Sequence, residues 1–374
     1  MLFYSLPEWL RITLSVVTAA AISLLFTPVV KRFAVSIGAI DMPGQRHIHS
    51  VPTPRMGGIA IVVAFMVSVL MFAKVSKPVS GILLGSLIIA VMGGLDDKYN
   101  LNPWIKLAVQ IVAAFIAISF GVVLDGITNP FAASAGGTTM FIGDNLAIIL
   151  TLGWIIICTN AVNLIDGLDG LACGITAISA LTMMIVSLMV SDINVTVILA
   201  CLLGACAGFL PYNLNPAKIF MGDVGAQTLG FILATSSTLG LFKLHAAITF
   251  LVPLLALAVP LGDTVFAIIR RLLKGQSPFK ADKGHFHHRL LALGMTQKQV
   301  VAVLYAITGI MGLISILMTG SSPVLKIVCV AVVFIIAIAI WVFVLRKIPE
   351  QQTASKYSES EPDMKIYDKE DNPQ

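Results

Sequence analysis

The chain has 374 residues, of which 57% are hydrophobic and only 11% charged. Soluble domains carry about 25% charged residues, so the composition excludes an ordinary soluble protein and points to a polytopic membrane protein. The net charge of +5 comes without a basic patch interleaved with aromatics, which argues against a nucleic-acid partner.

Apolar runs long enough to span a bilayer fall at roughly 9–30, 57–73, 79–95, 105–124, 145–162, 171–190, 195–212, 225–242, 247–269, 300–319 and 324–345. The expected fold is therefore all-α, with about eleven transmembrane helices. The first run is too long for a signal peptide, and its basic pair, Lys31-Arg32, follows it. It reads as a retained span with the N-terminus outside. The inner segments are then 31–56, 96–104, 163–170, 213–224, 270–299 and 346–374. Nineteen Lys and Arg residues lie on or at the edge of these segments and five lie on the outer side, which satisfies the positive-inside rule. The expected location is the plasma membrane, with the polar loops in the cytoplasm. The outer loop 125–144 is rich in Gly, Ala and Thr and reads as inert. Residues 1–345 form one transmembrane domain, and the tail 346–374 has too little apolar content to fold. Cys158, Cys173, Cys201, Cys206 and Cys329 lie in or beside apolar runs without a C-x-x-C pair, and read as core residues.

Nearly every polar motif falls on the inner side. A transporter would place polar groups near the bilayer midplane, whereas this pattern suits an enzyme whose soluble substrate comes from the cytosol. The first inner loop holds Arg46, His47 and Arg55, which are either anchors or phosphate contacts, and Gly57-Gly58, which permits close backbone approach. The pair Asp96-Asp97 ends the third apolar run. Adjacent carboxylates repel, and a cation nearby makes the pair tolerable. Asn160, Asn163, Asp166 and Asp169 recur every three residues and end the fifth run. They need polar partners, which a hydroxylated, metal-bound ligand would supply. Asn213, Phe220 and Asp223 precede the eighth run. Asp223 is either a helix N-cap or a hard-cation ligand, and Phe220 could stack on a flat base. The fifth inner loop carries His285, His287, His288 and Arg289. Three histidines in four residues are a pattern that binds zinc, but no cysteine accompanies them. A pyrophosphate-binding and proton-handling cluster suits them better.

Together Asp96-Asp97, Asn160-x-x-Asn163-x-x-Asp166-Gly-x-Asp169-Gly, Phe220-Met-Gly-Asp223 and His285-x-His287-His288-Arg289 resemble the polyprenyl-phosphate N-acetylhexosamine-1-phosphate transferase family. The resemblance covers roughly residues 10–345. It implies transfer of a sugar-1-phosphate from a UDP-sugar to undecaprenyl phosphate, a Mg2+ cofactor, ten or eleven spans and often a homodimer. It also implies Asp223 as metal ligand with Asn163 nearby, and Asp96 beside the lipid phosphate. Asp166, Asp169, Asn213 and Phe220 are implied as nucleoside and sugar-phosphate contacts. The basic residues after the acidic pair vary in the family, so Lys98 and Lys106 are given no firm role. Catalytic work is expected of Asp96, Asp97, Asp223, His285 and His288. Substrate binding is expected of Arg46, His47, Arg55, Asn160, Asp166, Asp169, Asn213, Phe220, His287 and Arg289. The form of the histidine loop favours the branch that uses UDP-N-acetylglucosamine over the branch that uses a muramoyl-pentapeptide donor. A cation-coupled transporter is the alternative of a different class.

Overall fold

The computed structural model describes residues 3, 6–42, 52–124, 126–128, 139–141, 143–190, 192–241, 251–273 and 285–320, with short pieces at 328–329 and 331–332. Arg46, His47 and the tail 346–374 lie outside the described residues. The helices are α1 (Glu8–Ser36), α2 (Gly58–Phe72), α3 (Lys77–Tyr99), α4 (Pro103–Ser119), α5 (Asp144–Ile165), α6 (Leu171–Met189), α7 (Ile193–Asn213), α8 (Gly222–Ser236), α9 (Leu251–Ala256), α10 (Ala258–Leu273), α11 (Phe286–Ala292) and α12 (Gln297–Gly320). Six of them are long and apolar enough to cross a membrane, and α2 and α4 are shorter apolar helices.

Local chemistry explains the helix ends. Asn102 caps α4 by accepting from the Trp104 N–H at 2.9 Å, with Pro103 at the first helical position. Asp192 caps α7 through the Val195 N–H. Asn100 adopts a left-handed conformation and stops α3. Helix α8 is the centre of the bundle: every residue from Val224 to Ser236 is buried. It packs against α3, α5 and α2, while α1 lies along α7, and α12 along α6. The outward apolar side chains, such as Leu25, Leu70 and Leu84, are exposed, as a lipid-facing surface requires.

Two expectations are corrected and one region is filled in. The acidic pair does not lie in a loop, because α3 continues to Tyr99 and Asp96 and Asp97 occupy its last turns. Within the segment 125–144, which has no expected secondary structure, strands β3 (Gly126–Thr128) and β4 (Thr139–Phe141) pair antiparallel. The ninth run is broken at Leu257 between α9 and α10. Pro260 has no N–H to give to the Ala256 carbonyl, and the Ser179 hydroxyl donates to that carbonyl instead. A second short pair, β1 (Ile40–Asp41) with β2 (Thr53–Pro54), brackets the loop between α1 and α2.

Candidate active site

The connections α1–α2, α3–α4, α5–α6 and α7–α8 and the start of α12 meet at one end of the bundle. They enclose a cleft of about 360 Å3. Its floor and walls include Asp97, Asn163, Asp166, Asp169, Asn213 and Asp223, with Phe220, Arg55, His288 and Gln297 around them.

The floor is built by clamping the segment before α8. The Phe220 N–H donates to the Pro54 carbonyl, and the Gly57 and Gly58 N–H groups donate to the Phe220 and Met221 carbonyls, at 2.8–2.9 Å. This contact needs glycine: a Cβ on Gly58 would lie 2.1 Å from the Gly225 nitrogen. Gly222 has φ +70°, and a Cβ there would meet the Asp97 carboxylate. The first turn of α8 is capped from a distance. The Asp97 Oδ1 accepts from the Asp223 N–H at 2.9 Å, and Oδ2 accepts from the Val224 N–H at 3.3 Å. A carboxylate suits a helix N-terminus because it meets orphan donors and the positive end of the dipole. Asp223 is therefore not the N-cap. Its side chain is left for other partners.

Those partners are cationic and amide donors. Lys106 Nζ lies 2.7 Å from Asp96 Oδ2 and 3.0 Å from Asp223 Oδ2, bridging the two acids. The Leu101 N–H also donates to Asp96 Oδ1 at 2.7 Å. Asp169 Oδ2 accepts from Asn215 Nδ2 and the Ala217 N–H, which fixes the loop that enters the cleft from α7. Asn213 Nδ2 donates to the Ile219 carbonyl in the same loop. Arg55 pairs with Asp41 at 2.7 Å on the rim.

The acid end of the cleft carries excess negative charge. Loss of water contact raises the Asp166 pKa to about 8, helped by the nearby charges of Asp223 and Asp97. No cluster of three or more His, Cys, Asp or Glu side chains able to hold a metal occurs among the described residues. The donor set is nonetheless one that Mg2+ uses: a carboxylate, an amide oxygen and more carboxylates nearby, with substrate phosphates filling the remaining positions. Asp223 and Asn163 fit that role, and the two donors that reach Asp223, Lys106 Nζ and Gln227 Nε2, both meet its Oδ2.

The histidine wall is tied down by a residue to which the sequence reading gave no role. Asp263 on α10 lies 2.7 Å from His285 Nδ1, and its other oxygen accepts from the Phe286 N–H, which starts α11. His287 is buried against Gly167, and burial lowers its pKa to about 3, so the ring is neutral. Only His288 of the three lines the cleft. Arg289 lies over the Phe266 ring, 5.2 Å from its centre. Asn160 is a further correction. It does not line the cleft. It donates to Gln110 Oε1 at 2.7 Å and to the Ile156 carbonyl. Gln297 lines the cleft and follows a polar segment with no motif of its own, whereas Asp96, expected to be catalytic, does not line it and is linked to it through Lys106 and Asp223.

Fold and site together define a polytopic helical membrane enzyme with an acidic, phosphate-suited cleft at one end of its bundle. The pattern of glycosyl transferase family 4 matches residues 79–241, and the chain belongs to this family. It is 38% identical over 314 residues to a probable undecaprenyl-phosphate N-acetylglucosaminyl 1-phosphate transferase of Bacillus subtilis, covering 84% of this chain and 86% of that one. It is 34% identical over 324 residues to a decaprenyl-phosphate N-acetylglucosaminephosphotransferase of Mycobacterium tuberculosis, covering 78% and 79%. A phospho-N-acetylmuramoyl-pentapeptide-transferase of Clostridioides difficile is 32% identical over 307 residues, covering 78% and 92%.

Proposed function

We propose that the protein transfers N-acetylglucosamine-1-phosphate from UDP-N-acetylglucosamine to undecaprenyl phosphate. The products are UMP and undecaprenyl-pyrophosphoryl-N-acetylglucosamine, the first membrane intermediate of teichoic acid or another surface glycan. The observation that carries this reading is the cleft: acids and an asparagine at the end of a membrane bundle, beside a clamped Phe220 and His288. The two N-acetylglucosamine transferases among the relatives support the choice of donor.

Phosphoryl transfer is mostly positioning and charge neutralisation. A magnesium ion held by Asp223 and Asn163 would neutralise charge on the pyrophosphate and on departing UMP. Asp96 accepts the last proton of the lipid phosphate, whose pKa of about 6 puts it within reach of a carboxylate. Lys106, between Asp96 and Asp223, meets phosphate charge. Both oxygens of Asp97 are engaged by the α8 backbone, which supports a single direct displacement over a phospho-aspartate on that residue. Phe220 stacks on uracil, and Arg55 and His288 contact the pyrophosphate.

In the plasma membrane the cleft opens to the cytoplasm. Helices α1 to α8, the broken pair α9–α10 and α12 make ten passes, and the expected eleventh span, 324–345, lies almost wholly outside the described residues. The basic residues of the loops that form the cleft support this orientation. A homodimer is the assembly expected from the resemblance.

The test offers purified protein undecaprenyl phosphate and equal concentrations of UDP-N-acetylglucosamine and UDP-N-acetylmuramoyl-pentapeptide. Transfer of the N-acetylglucosamine phosphate is expected, and Asp223→Asn and Asp96→Asn should lose most turnover. Preferential transfer of the muramoyl-peptide phosphate would overturn the donor, and no transfer of either would overturn the reaction.

A further inference from the structure

Three amides lie beneath the acidic end of the cleft, one each on α4, α5 and the wholly buried stretch of α8. Gln227 and Gln110 are 0% and 3% exposed. Buried amides at membrane depth are costly unless paired, and they tend to mark function. All three are paired, in one line. Gln227 Nε2 donates to Asp223 Oδ2 at 2.7 Å. Gln110 Nε2 donates to Gln227 Oε1 at 2.8 Å. Asn160 Nδ2 donates to Gln110 Oε1 at 2.7 Å.

The direction of this line follows from chemistry. An ionised carboxylate only accepts, so Gln227 must turn its NH2 toward Asp223 and its oxygen toward Gln110. Gln110 must then turn its own NH2 toward Gln227 and its oxygen toward Asn160. Both glutamines are oriented in this way, with their NH2 ends toward the acid, and Asn160 closes the line side-on, since Gln110 Nε2 also donates to its Oδ1 at 3.4 Å. Two helices supply the scaffold. Lys106 and Gln110 are four apart on α4, and Asp223 and Gln227 are four apart on α8, so each pair shares a helix face. The lysine meets the acid on one level, and the glutamines meet on the next.

We propose that Gln227 and Gln110 are positioning residues for the transfer reaction: the directed amide line holds Asp223 by Oδ2 and presents Oδ1 to the divalent cation. Lys106 and Gln227 both donate to the same oxygen, Oδ2. With donors from two helices on that one oxygen, the carboxylate is held in one rotamer. This rests on the reading of Asp223 as a metal ligand. Partners of metal ligands typically change affinity 10–100-fold when removed.

The experiment measures Mn2+ binding by electron paramagnetic resonance on full-length protein in detergent, without either substrate. Wild type, Asp223→Asn, Gln227→Met and Gln110→Met are compared, and thermal melting monitors the fold of each. Gln227→Met should weaken Mn2+ binding at least tenfold, and Gln110→Met by less. In turnover, both should need more Mg2+ and lose kcat with little change in KM for UDP-N-acetylglucosamine. A Gln227→Met protein that binds Mn2+ as wild type does, while Asp223→Asn does not, overturns the inference alone. An Asp223→Asn protein with wild-type affinity overturns the metal reading and the inference with it. If Gln227→Met fails to fold, Gln110→Met decides: undiminished Mn2+ affinity and an unchanged Mg2+ requirement there overturn the inference.

Discussion

Asp97 and Asp166 show how differently two acids in one cleft can be used. Asp97 spends both oxygens on the backbone of α8. Its replacement by Asn turns one acceptor into a donor that faces an N–H. Asp97→Asn should cost about 1–2 kcal/mol of stability and most of the activity, as measured by melting and turnover of the same preparation. Asp166 is held protonated to about pH 8 by burial and by the charges of Asp223 and Asp97. Its folded pKa lies above its unfolded value, so its contribution to stability is complete below pH of about 4 and is lost as pH rises through 8. Metal-free protein should therefore melt at progressively lower temperature across that window, and Asp166→Asn should flatten the decline. An unchanged pH profile in Asp166→Asn would count against this assignment.

Helix ends, more than helices, make this site. The close approach of α2 to α8 depends on Gly58, and Gly58→Ala must push the two helices apart or bend one. Such overpacking costs typically about 1–3 kcal/mol. We expect reduced melting temperature together with a raised KM for UDP-N-acetylglucosamine, because Phe220 and Asp223 ride on the displaced segment. The sequence made the long apolar helices and the charged ends visible: Asp96, Asp97 and Asp223 stand out against their apolar neighbours. It did not reveal Gln110 and Gln227, since a single amide inside an apolar run has no period and no motif. Asn160 misled for a geometric reason. Positions three apart on a helix turn by about 60° relative to one another, so Asn163 reaches the cleft while Asn160 points into the bundle. Asp263 was visible, but nothing in its spacing linked it to His285. The break between α9 and α10 also lies outside what hydropathy reports.

At the scale of the whole molecule, the cleft draws on residues from Asp41 to Gln297, at alternate turns of the chain. That alternation requires every contributing loop to share one membrane face. A cysteine placed in the tail 346–374 should resist membrane-impermeant thiol reagents in intact cells, while one placed in the 125–144 segment should react. Rapid labelling of the tail would refute the eleven-pass arrangement. The span of the cleft also bears on biosynthesis. Chains are made at about 5–20 residues per second, so several seconds separate synthesis of Asp223 from that of Gln297. Throughout that interval the nascent protein holds a cluster of acids at the membrane surface, without the Asp263-anchored histidine wall or the start of α12. The ribosome-bound intermediate thus has an incomplete cleft, and the last lining residue arrives only with the start of α12.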